Sequence, residues 1–381
     1  MHNYHLVNLI KKDYNITIVS IWDKINSEFY EGTNVNYKHV KVPYEGLFNF
    51  SFKFKILGNY IRALKDWIIS RKMYDKFSEF DSDIIEFMDI SSESYCFLKE
   101  GNFRNKTKLI IRSHTPWTLL RKYYSKMEKI NVDTKYVFER ESFCFDKCDK
   151  ITTPSKDLKD NLVNIFNLNE KKIIVLPNII DTNHFRPLPE IKKKDTFIIL
   201  HVGRFNRAKG ALTLIEAFIN LAIEDKNIFL VNVGKIDTKI YSQCDILLEK
   251  SNLKQNVSFE NFISYDDLPK FYQKASVVIV PSELYESFSY TVAQAMSCGR
   301  IVIASNIGGI PETLNYGKAG FLFEPGNIES LIKKIKNIYS NKIDIKKYEL
   351  AARRYIVKNF SFDALRPKYI DFYNGQIKSK K

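Results

Sequence analysis

The sequence has no apolar run of membrane-spanning length, and it does not begin with the charged and then apolar pattern of a secretory signal. It has five cysteines, an odd number without a CxxC pair, which indicates reduced thiols that fill space rather than disulfides. These absences argue against a disulfide scaffold and against a membrane-spanning protein. They predict a cytoplasmic protein and leave open a peripheral attachment to the inner face of the plasma membrane.

What the sequence has in quantity is aromatic and basic side chains. It holds 28 Phe and 22 Tyr, which favours a folded globular protein, and its 381 residues suffice for two domains with separate cores. The net charge of +15 would suit nucleic acid, anionic lipid or phosphorylated substrates, or a solvated lysine-rich surface. Because no nucleic-acid-binding motif accompanies the charge, we expect no nucleic acid partner.

Short β-branched runs alternate with longer amphipathic stretches, a pattern that predicts an α/β protein with parallel sheets. The first half contains six predicted strands, Asn15–Ile21, Lys38–Val42, Ile84–Phe87, Lys108–Arg112, Lys150–Thr153 and Ile173–Leu176. The second half contains six more, Phe197–Val202, Asn227–Val233, Val257–Phe259, Ser276–Val280, Ile301–Ala304 and Phe321–Phe323.

The stretch between the two series of strands, Pro177–Lys194, is the most linker-like part of the chain. We therefore predict an N-terminal doubly wound domain over residues 1–185 and a second one over residues 186–360. Residues 361–381 are predicted to form a C-terminal helix that crosses back to the first domain, followed by a basic tail. Since open parallel sheets bind ligands beyond the carboxyl ends of their strands, two such domains facing each other would bind ligands in the cleft between them.

The strongest local signal is the segment His201–Gly210, HVGRFNRAKG, in which a strand runs through a polar loop into a helix. Arg204 and Lys209 bring two cations to this strand end near a helix N-terminus. Guanidinium groups and free helix amides both favour anions, so a diphosphate would suit the place. The alternative is an ordinary surface loop, and the spacing of an ATP-binding Walker loop is absent.

A second signal follows the predicted strand that ends at Val280. Glu286 stands in a loop just before a helix that begins near Ser289 and ends at Gly299. Its carboxylate could accept sugar hydroxyls while free amides at the helix start meet phosphate oxygens. The alternative is that the negative charge of Glu286 only compensates the partial positive charge at the helix N-terminus. A third segment, Ser305–Glu312, places paired glycines and a proline at another strand end, where a ligand could approach the backbone.

Together the three segments resemble the retaining glycosyltransferases of family 4, which have the GT-B fold with two Rossmann-like domains. HVGRFNRAKGALTLIEAF is similar to the VGR-loop-KG segment of that family. PSELYESFSYTVAQAMSCGRIVIASNIGGIPETL resembles its E-x7-E region and the following GGxPE turn. Weaker matches extend the resemblance over about residues 5–340.

The resemblance implies a nucleotide-sugar donor site in the second domain. Arg204 and Lys209 would bind the diphosphate, together with Ser289 and Tyr290 at the helix start. Glu286 would hold hydroxyls of the transferred sugar and take part in catalysis. Retention of the anomeric configuration without a bound divalent metal or another cofactor is also implied.

Other positions follow from the same resemblance. Gly203 and Phe288 would contact the donor, and Ile263 would lie on the nucleobase side. The second glutamate of the family, which binds the ribose, falls on Gln294, so the charge-assisted share of that contact is lost, about 1 kcal/mol or more. In the first domain, His114 matches the strand-end histidine of the family and would lie near the donor sugar and the acceptor, although a purely structural histidine is the alternative.

The largest departure from the family lies at the start. Family members open with a strand and a Gly-Gly turn, whereas Met1–Ile10 already resembles the helix that follows that turn. We expect this form to be less stable and to gain activity if an upstream strand and turn are added.

The predicted acceptor is a glycan or a lipid-diphosphate-linked glycan, and the predicted role is cell-surface polysaccharide synthesis. The aromatic and basic stretches Phe48–Phe77 and Leu119–Lys129 would suit a membrane surface or such a lipid, or simply the packing of amphipathic helices. Two other functions stay open: a non-catalytic subunit that binds a sugar nucleotide, and a nucleotide-sugar epimerase of the same fold.

Overall fold

The computed structural model describes residues 2–20, 35–39, 55–89, 93–100, 107–127, 134–188, 196–340 and 342–378. Contacts divide the chain into two compact units, unit 1 with Met1–Pro177 and Leu365–Lys381, and unit 2 with Asn178–Ala364. The division therefore falls before the boundary predicted at residues 185 and 186. The reason is hydrogen bonding to unit 2: the Ile180 amide donates to the Phe360 carbonyl at 2.8 Å, and Ser297 Oγ donates to the Phe185 carbonyl at 2.6 Å.

Unit 1 alternates strands and helices along the chain. Its elements are α1 (His2–Ile10), β1 (Thr17–Ser20), β2 (Asn36–His39), α2 (Lys55–Phe77), β3 (Ile84–Met88), α3 (Tyr95–Glu100), β4 (Lys108–Arg112), α4 (Trp117–Met127), α5 (Thr134–Lys147), β5 (Lys150–Thr153), α6 (Lys156–Phe166) and β6 (Ile173–Val175). Strands β1 and β2 pair in parallel, and β3, β4, β5 and β6 form a second parallel sheet in that order. Strands occur at all six positions predicted for this half, with ends that differ by a few residues; residue 21 and residues 40–42 of the predicted strands lie outside the described residues.

Unit 2 is one doubly wound sheet. Its elements are β7 (Phe197–Val202), α7 (Ala211–Glu224), β8 (Ile228–Val233), α8 (Thr238–Lys250), β9 (Val257–Glu260), α9 (Leu268–Lys274), β10 (Val277–Val280), α10 (Tyr290–Ser297), β11 (Val302–Ser305), α11 (Ile310–Thr313), β12 (Phe321–Phe323), α12 (Ile328–Tyr339) and α13 (Ile345–Phe360). The strand order is β12-β11-β10-β7-β8-β9, with every pairing parallel.

Helices cover both faces of this sheet, which explains the continuous apolar run of β10. Its residues Val277–Val280 are all buried, as expected of a strand between two helical layers. Val278 belongs to one cluster of buried apolar side chains and Ile279 to another, because neighbouring residues of a strand point to opposite faces. The six strands predicted for the second half are confirmed.

The last helix, α14 (Phe362–Lys378), belongs to unit 1 from Leu365 onward. Tyr369 donates from its hydroxyl to the Pro177 carbonyl at 2.9 Å, and Tyr373 donates to Glu86 Oε2 at 2.8 Å. These bonds join the end of the chain to the sheet of unit 1. Within the described ranges, no helix combines the length and the apolar character that crossing a membrane requires.

Candidate functional site

The candidate site of unit 2 lies where the strand order reverses. Strands β7 and β10 are neighbours, but the chain leaves β7 toward β8 on one side and reaches β11 from β10 on the other. Such a switch point opens a crevice at the carboxyl ends of the two strands. The loops that follow β7, β10 and β11 carry the three segments singled out in the sequence.

The loop after β7 packs directly onto the loop after β10. A Cβ atom on Gly210 would lie 1.8 Å from the Pro281 carbonyl oxygen, so only glycine permits this approach. The amides of Glu283 and Leu284 donate to the Ala208 carbonyl at 3.0 and 3.1 Å. The two loops are therefore joined backbone to backbone.

The loop after β11 makes a similar contact. A Cβ atom on Gly308 would lie 2.2 Å from the carbonyl oxygen of Glu286, and the Gly309 amide donates to that same oxygen at 2.8 Å. The paired glycines predicted to allow close approach thus contact the protein's own backbone at Glu286. The loop after β11 therefore binds Glu286 through its main chain, and the side chain of Glu286 makes separate contacts.

The side chains of Lys209 and Glu286 meet. Lys209 Nζ lies 2.6 Å from Glu286 Oε1, with side chains that are 28% and 13% exposed. Ser282, which is fully buried, donates from its hydroxyl to the same Oε1. Glu286 Oε2 accepts no hydrogen bond from any residue in the described ranges. The carboxylate is therefore fixed through one oxygen and open to a donor, such as a sugar hydroxyl, through the other.

Helix α10 begins beside this ion pair. The Ser289 hydroxyl accepts the Val292 amide at 3.4 Å and so caps the helix, which begins near Ser289 as predicted. Thr291 donates from Oγ1 to the Val202 carbonyl at 3.0 Å, which fixes the helix start to the end of β7. Phe288 and Tyr290 pack edge to face with ring centroids 5.3 Å apart. The helix start lies next to both loops, where its dipole favours an anion.

The remaining residues predicted for unit 2 take no part in this ion pair. Arg204 is exposed and forms no ion pair with the part of the chain that the structure describes. Gln294 is buried within α10, and its Oε1 accepts a hydrogen bond from the Tyr272 hydroxyl at 3.0 Å. Ile263 is half-buried and packs against the apolar core.

Sequence reasoning missed a polar pair beneath the loop after β7. His201 Nδ1 lies 2.8 Å from Asn232 Oδ1, and both residues are buried. Burial and, to a smaller extent, the neighbouring Lys209 lower the pKa of His201 to about 4, while the Asn232 hydrogen bond and the Glu286 carboxylate oppose the shift. The imidazole is therefore neutral at physiological pH. The sequence pattern that could have revealed this pair is a polar residue on each of two predicted strands that lie next to each other in the sheet.

His114 lies in unit 1, two residues beyond the end of β4. Removal from water lowers its pKa to about 3, and the buried Arg112 guanidinium adds to the effect. Its imidazole is therefore neutral at physiological pH and can take part in hydrogen bonds. No group of three or more potential metal ligands occurs among the residues that the structure describes.

Two family models match the chain. The model for Glycosyltransferase Family 4 matches residues 4–184, and the model for Glycosyl transferases group 1 matches residues 186–355. The chain resembles an uncharacterized glycosyltransferase of Methanocaldococcus jannaschii, with 28% identity over 63% of this chain and 64% of that protein. The alignment thus spans slightly less than two thirds of that relative.

Two further curated relatives have descriptive names. The chain is 26% identical, over 70% of each protein, to the Campylobacter jejuni N-acetylgalactosamine-N,N'-diacetylbacillosaminyl-diphospho-undecaprenol 4-alpha-N-acetylgalactosaminyltransferase. It is 27% identical to the Salmonella typhimurium lipopolysaccharide 1,2-N-acetylglucosaminetransferase, over 65% of this chain and 69% of that protein.

Solved structures share the fold at low identity. Sucrose-phosphate synthase from Thermosynechococcus elongatus superposes with a TM-score of 0.79 at 18% identity, over 100% of this chain and 94% of that chain. The Anabaena protein Alr3699/HepE in complex with UDP superposes with a TM-score of 0.75 at 16% identity, over 97% and 95%. These likenesses establish the architecture of the chain.

Proposed function

The chain belongs to glycosyltransferase family 4 and has the GT-B fold, and we propose that it transfers a hexosyl or N-acetylhexosaminyl group from a nucleotide-sugar to a glycan or lipid-diphosphate-linked glycan with retention of configuration. The observation that carries the proposal is the 2.6 Å contact of Lys209 with Glu286 at the carboxyl edge of a parallel sheet. A cation and a carboxylate at one point match a sugar diphosphate, which is anionic at one end and rich in hydroxyls at the other.

The donor contacts follow from the charges of the loops. Lys209 and Arg204 bind the diphosphate together with the amides at the start of α10, because cations and free helix amides both stabilise anions. Glu286 accepts hydroxyls of the transferred sugar through Oε2. Ser282 keeps the other oxygen of the carboxylate in place when Lys209 turns toward the phosphates.

In transfer with retention, the acceptor oxygen bonds to the sugar C1 on the face from which the nucleotide leaves, as the C1–O bond to the diphosphate breaks, and the acceptor proton passes to the departing diphosphate. The diphosphate departs more easily when preorganised positive charge meets it, and Arg204, Lys209 and the α10 start supply that charge without a metal. Neutral His114 acts on the sugar and acceptor side, where it can hold a hydroxyl by a hydrogen bond. His114 and Glu286 are thus the two groups we assign to catalysis.

Features of unit 1 support a lipid-linked acceptor at the inner face of the plasma membrane. Leu64 and Trp67 on α2 are 56% and 49% exposed, and Trp117 at the start of α4 is 44% exposed. Aromatic and basic side chains together suit the interface of an anionic membrane. Parts of both predicted stretches, residues 48–54 and 128–129, lie outside the described residues. The Campylobacter and Salmonella relatives, named for lipid-linked and lipopolysaccharide acceptors, point to cell-surface polysaccharide synthesis.

A second candidate is a non-catalytic subunit that binds a sugar nucleotide. Gln294, bonded to the Tyr272 hydroxyl, supplies no carboxylate for the ribose. Weaker donor binding would follow, which a regulatory or partner subunit tolerates better than an enzyme does. A transferase turns over its donor, whereas a non-catalytic subunit only binds it.

The experiment measures binding of UDP, GDP and dTDP by calorimetry, then nucleotide release from the corresponding sugars with and without a lipid-diphosphate-linked acceptor. We expect binding of one nucleotide and acceptor-dependent release, with a product whose anomeric proton coupling matches that of the donor. Binding without release would select the partner subunit, and isomerisation without an acceptor would select an epimerase.

Lys209→Ala tests the site itself. We expect its affinity for the bound nucleotide to fall about tenfold or more, since a charge-assisted contact contributes about 1.5–3 kcal/mol. The matched control is Lys254→Ala, which removes another lysine of unit 2 that pairs with a carboxylate, Asp245, at 2.9 Å. Equal affinities of the Lys209 variant and the unaltered chain would refute the proposal.

A further inference from the structure

A buried aspartate holds the segment that carries His114. Asp89 follows β3 and is 5% exposed. Its Oδ2 accepts three hydrogen bonds, from Ser113 Oγ at 2.7 Å and from the amides of His114 and Thr115 at 3.1 Å each. Three donors of the turn after β4 thus bind to the same oxygen of Asp89. A buried carboxylate that accepts several amides fixes the backbone that carries them.

A second buried carboxylate binds the next residues of the same segment. Glu141 on α5 is 3% exposed. It accepts the amide of Trp117 on Oε1 at 2.6 Å and the amide of Thr118 on Oε2 at 3.0 Å. These are the first amides of α4, which have no partner within their own helix. Asp89 and Glu141 therefore hold the two ends of one short segment, residues 113–118, from two different elements.

The two carboxylates face the same internal space. Asp89, Glu141 and Cys144 line one small cavity of about 10 Å³. Asp89 Oδ1 is buried with no hydrogen-bond partner in the described parts of the chain. Keeping such an oxygen in the interior costs free energy, which the three bonds to Oδ2 offset. The arrangement concentrates its bonds on the backbone next to His114.

We propose that Asp89 and Glu141 are positioning residues of the transfer reaction, which set the backbone of residues 113–118 and so hold the His114 imidazole in place. The inference rests on the proposed function for its catalytic consequence only. Arg112 on β4, Arg140 on α5 and Glu93, a further buried acid beside Asp89, are charged groups of the described chain near this cluster. Shielding is what keeps His114 neutral, so release of the segment would hydrate the imidazole.

The test follows the imidazole directly. In the full chain labelled with ¹³C at histidine Cε1, the His114 signal is identified by its loss in His114→Asn and is followed from pH 5 to 8. We expect no titration in the unaltered chain, and a titration with a midpoint near the ordinary histidine value of about 6.5 in Asp89→Asn and Glu141→Gln. Glu93→Gln is the matched control, because it alters a buried acid of the same cluster without removing a bond to the segment.

Kinetics provide the second readout. In Asp89→Asn and Glu141→Gln we expect the kcat of nucleotide release to fall about tenfold to a hundredfold, while the Kd of the nucleotide changes less than twofold, since unit 2 binds it. If Asp89→Asn fails to fold, Ser113→Ala replaces it, because it removes one bond to Asp89 and no charge. Folded variants with an unaltered His114 signal and unaltered kcat would overturn the inference.

The two proposals fail separately. If His114→Asn retains full kcat, the catalytic role of His114 in the proposed function is wrong, whatever the imidazole signal reports. If His114→Asn is inactive but the Asp89 and Glu141 variants leave both the signal and kcat unchanged, the positioning role is wrong and the proposed function stands.

Discussion

The two units hold their candidate groups by opposite means. In unit 2 the loops of the site touch backbone to backbone, at glycines such as Gly210 and Gly308, and the charged side chains stay partly exposed. In unit 1 the segment that carries His114 is held by the buried carboxylates Asp89 and Glu141. Close backbone contacts leave no room for an added side-chain atom in the loops of unit 2. The hydrogen bonds that hold residues 113–118 in unit 1 depend instead on the protonation state of buried acids.

The difference has a consequence for function. In the proposed function, the donor side requires a fixed crevice whose cation and carboxylate can reorient when a ligand arrives, which the partial exposure of Lys209 and Glu286 would permit. The proposed acceptor side requires one imidazole held in one place, which buried acids that accept amides would provide. Packing changes should therefore damage unit 2 most, and changes of charge or pH should damage unit 1 most.

The largest expected effect is that of Gly210→Ala, which disturbs the backbone contact between the loops after β7 and β10 in unit 2. The new Cβ would meet the Pro281 carbonyl, and the residue has φ +70°. Left-handed backbone strain costs about 1–2 kcal/mol and overpacking about 1–3 kcal/mol, so we expect a loss of about 2–5 kcal/mol in the free energy of unfolding. Urea unfolding measures it, and nucleotide affinity should fall as well.

Gly326→Ala is the control for this experiment. Gly326 has φ +75°, yet a Cβ there would meet nothing within 4 Å. Its variant should lose only the backbone part, about 1–2 kcal/mol. Equal losses at the two positions would mean that the contact of Gly210 with Pro281 does not hold the loops together.

A smaller effect, specific to unit 1, concerns pH. Burial, and then the nearby Asp89, raises the pKa of Glu93 to about 8. Between the unfolded value near 4.3 and about 8 the folded chain binds more protons, so the stability that Glu93 contributes is present below pH 4 and is lost as the pH rises through 8. We expect Glu93→Gln to remove a slope of up to about 1.4 kcal/mol per pH unit from the free energy of unfolding.

The measurement is urea unfolding of both proteins from pH 5 to 8. At pH 5 the variant should be nearly as stable as the unaltered chain, because a protonated Glu93 and a glutamine have similar shapes. At pH 8 the variant should be the more stable of the two. Parallel curves over the whole range would contradict the role given to buried charge in unit 1.

The same contrast explains what could be predicted from the sequence. All twelve strands and the loops that carry Lys209 and Glu286 were predictable, because strand pattern and glycine position are local properties. The hydrogen bonds of Asp89 and Glu141 join residues 23–26 positions apart, and which way a helix such as α5 turns its polar side chain depends on packing. Ser282 stood in a quoted motif, but only the fold brings its hydroxyl to Glu286.

The smallest expected effect comes from adding a buried charge to unit 2, by Gln294→Glu. The new carboxylate would keep the hydrogen bond of the Tyr272 hydroxyl, which donates to Gln294 Oε1 at 3.0 Å. If the side chain contacts the ribose, a charge-assisted bond replaces a neutral one, a gain of about 1 kcal/mol or about fivefold in the Kd of the nucleotide. Calorimetry from pH 6 to 9 measures the gain, which should grow as the pH rises, because burial opposes ionisation of the new carboxylate.

Gln273→Glu is the matched control, since Gln273 is another buried glutamine of unit 2 and its Oε1 accepts the Leu188 amide at 3.2 Å. It should leave the Kd unchanged, because a charge there meets no ligand. An unchanged Kd in Gln294→Glu as well would mean that position 294 serves the core and not the ribose. The polar residues of unit 2 would then divide into those that bind the donor, such as Lys209, and those that only complete the packing.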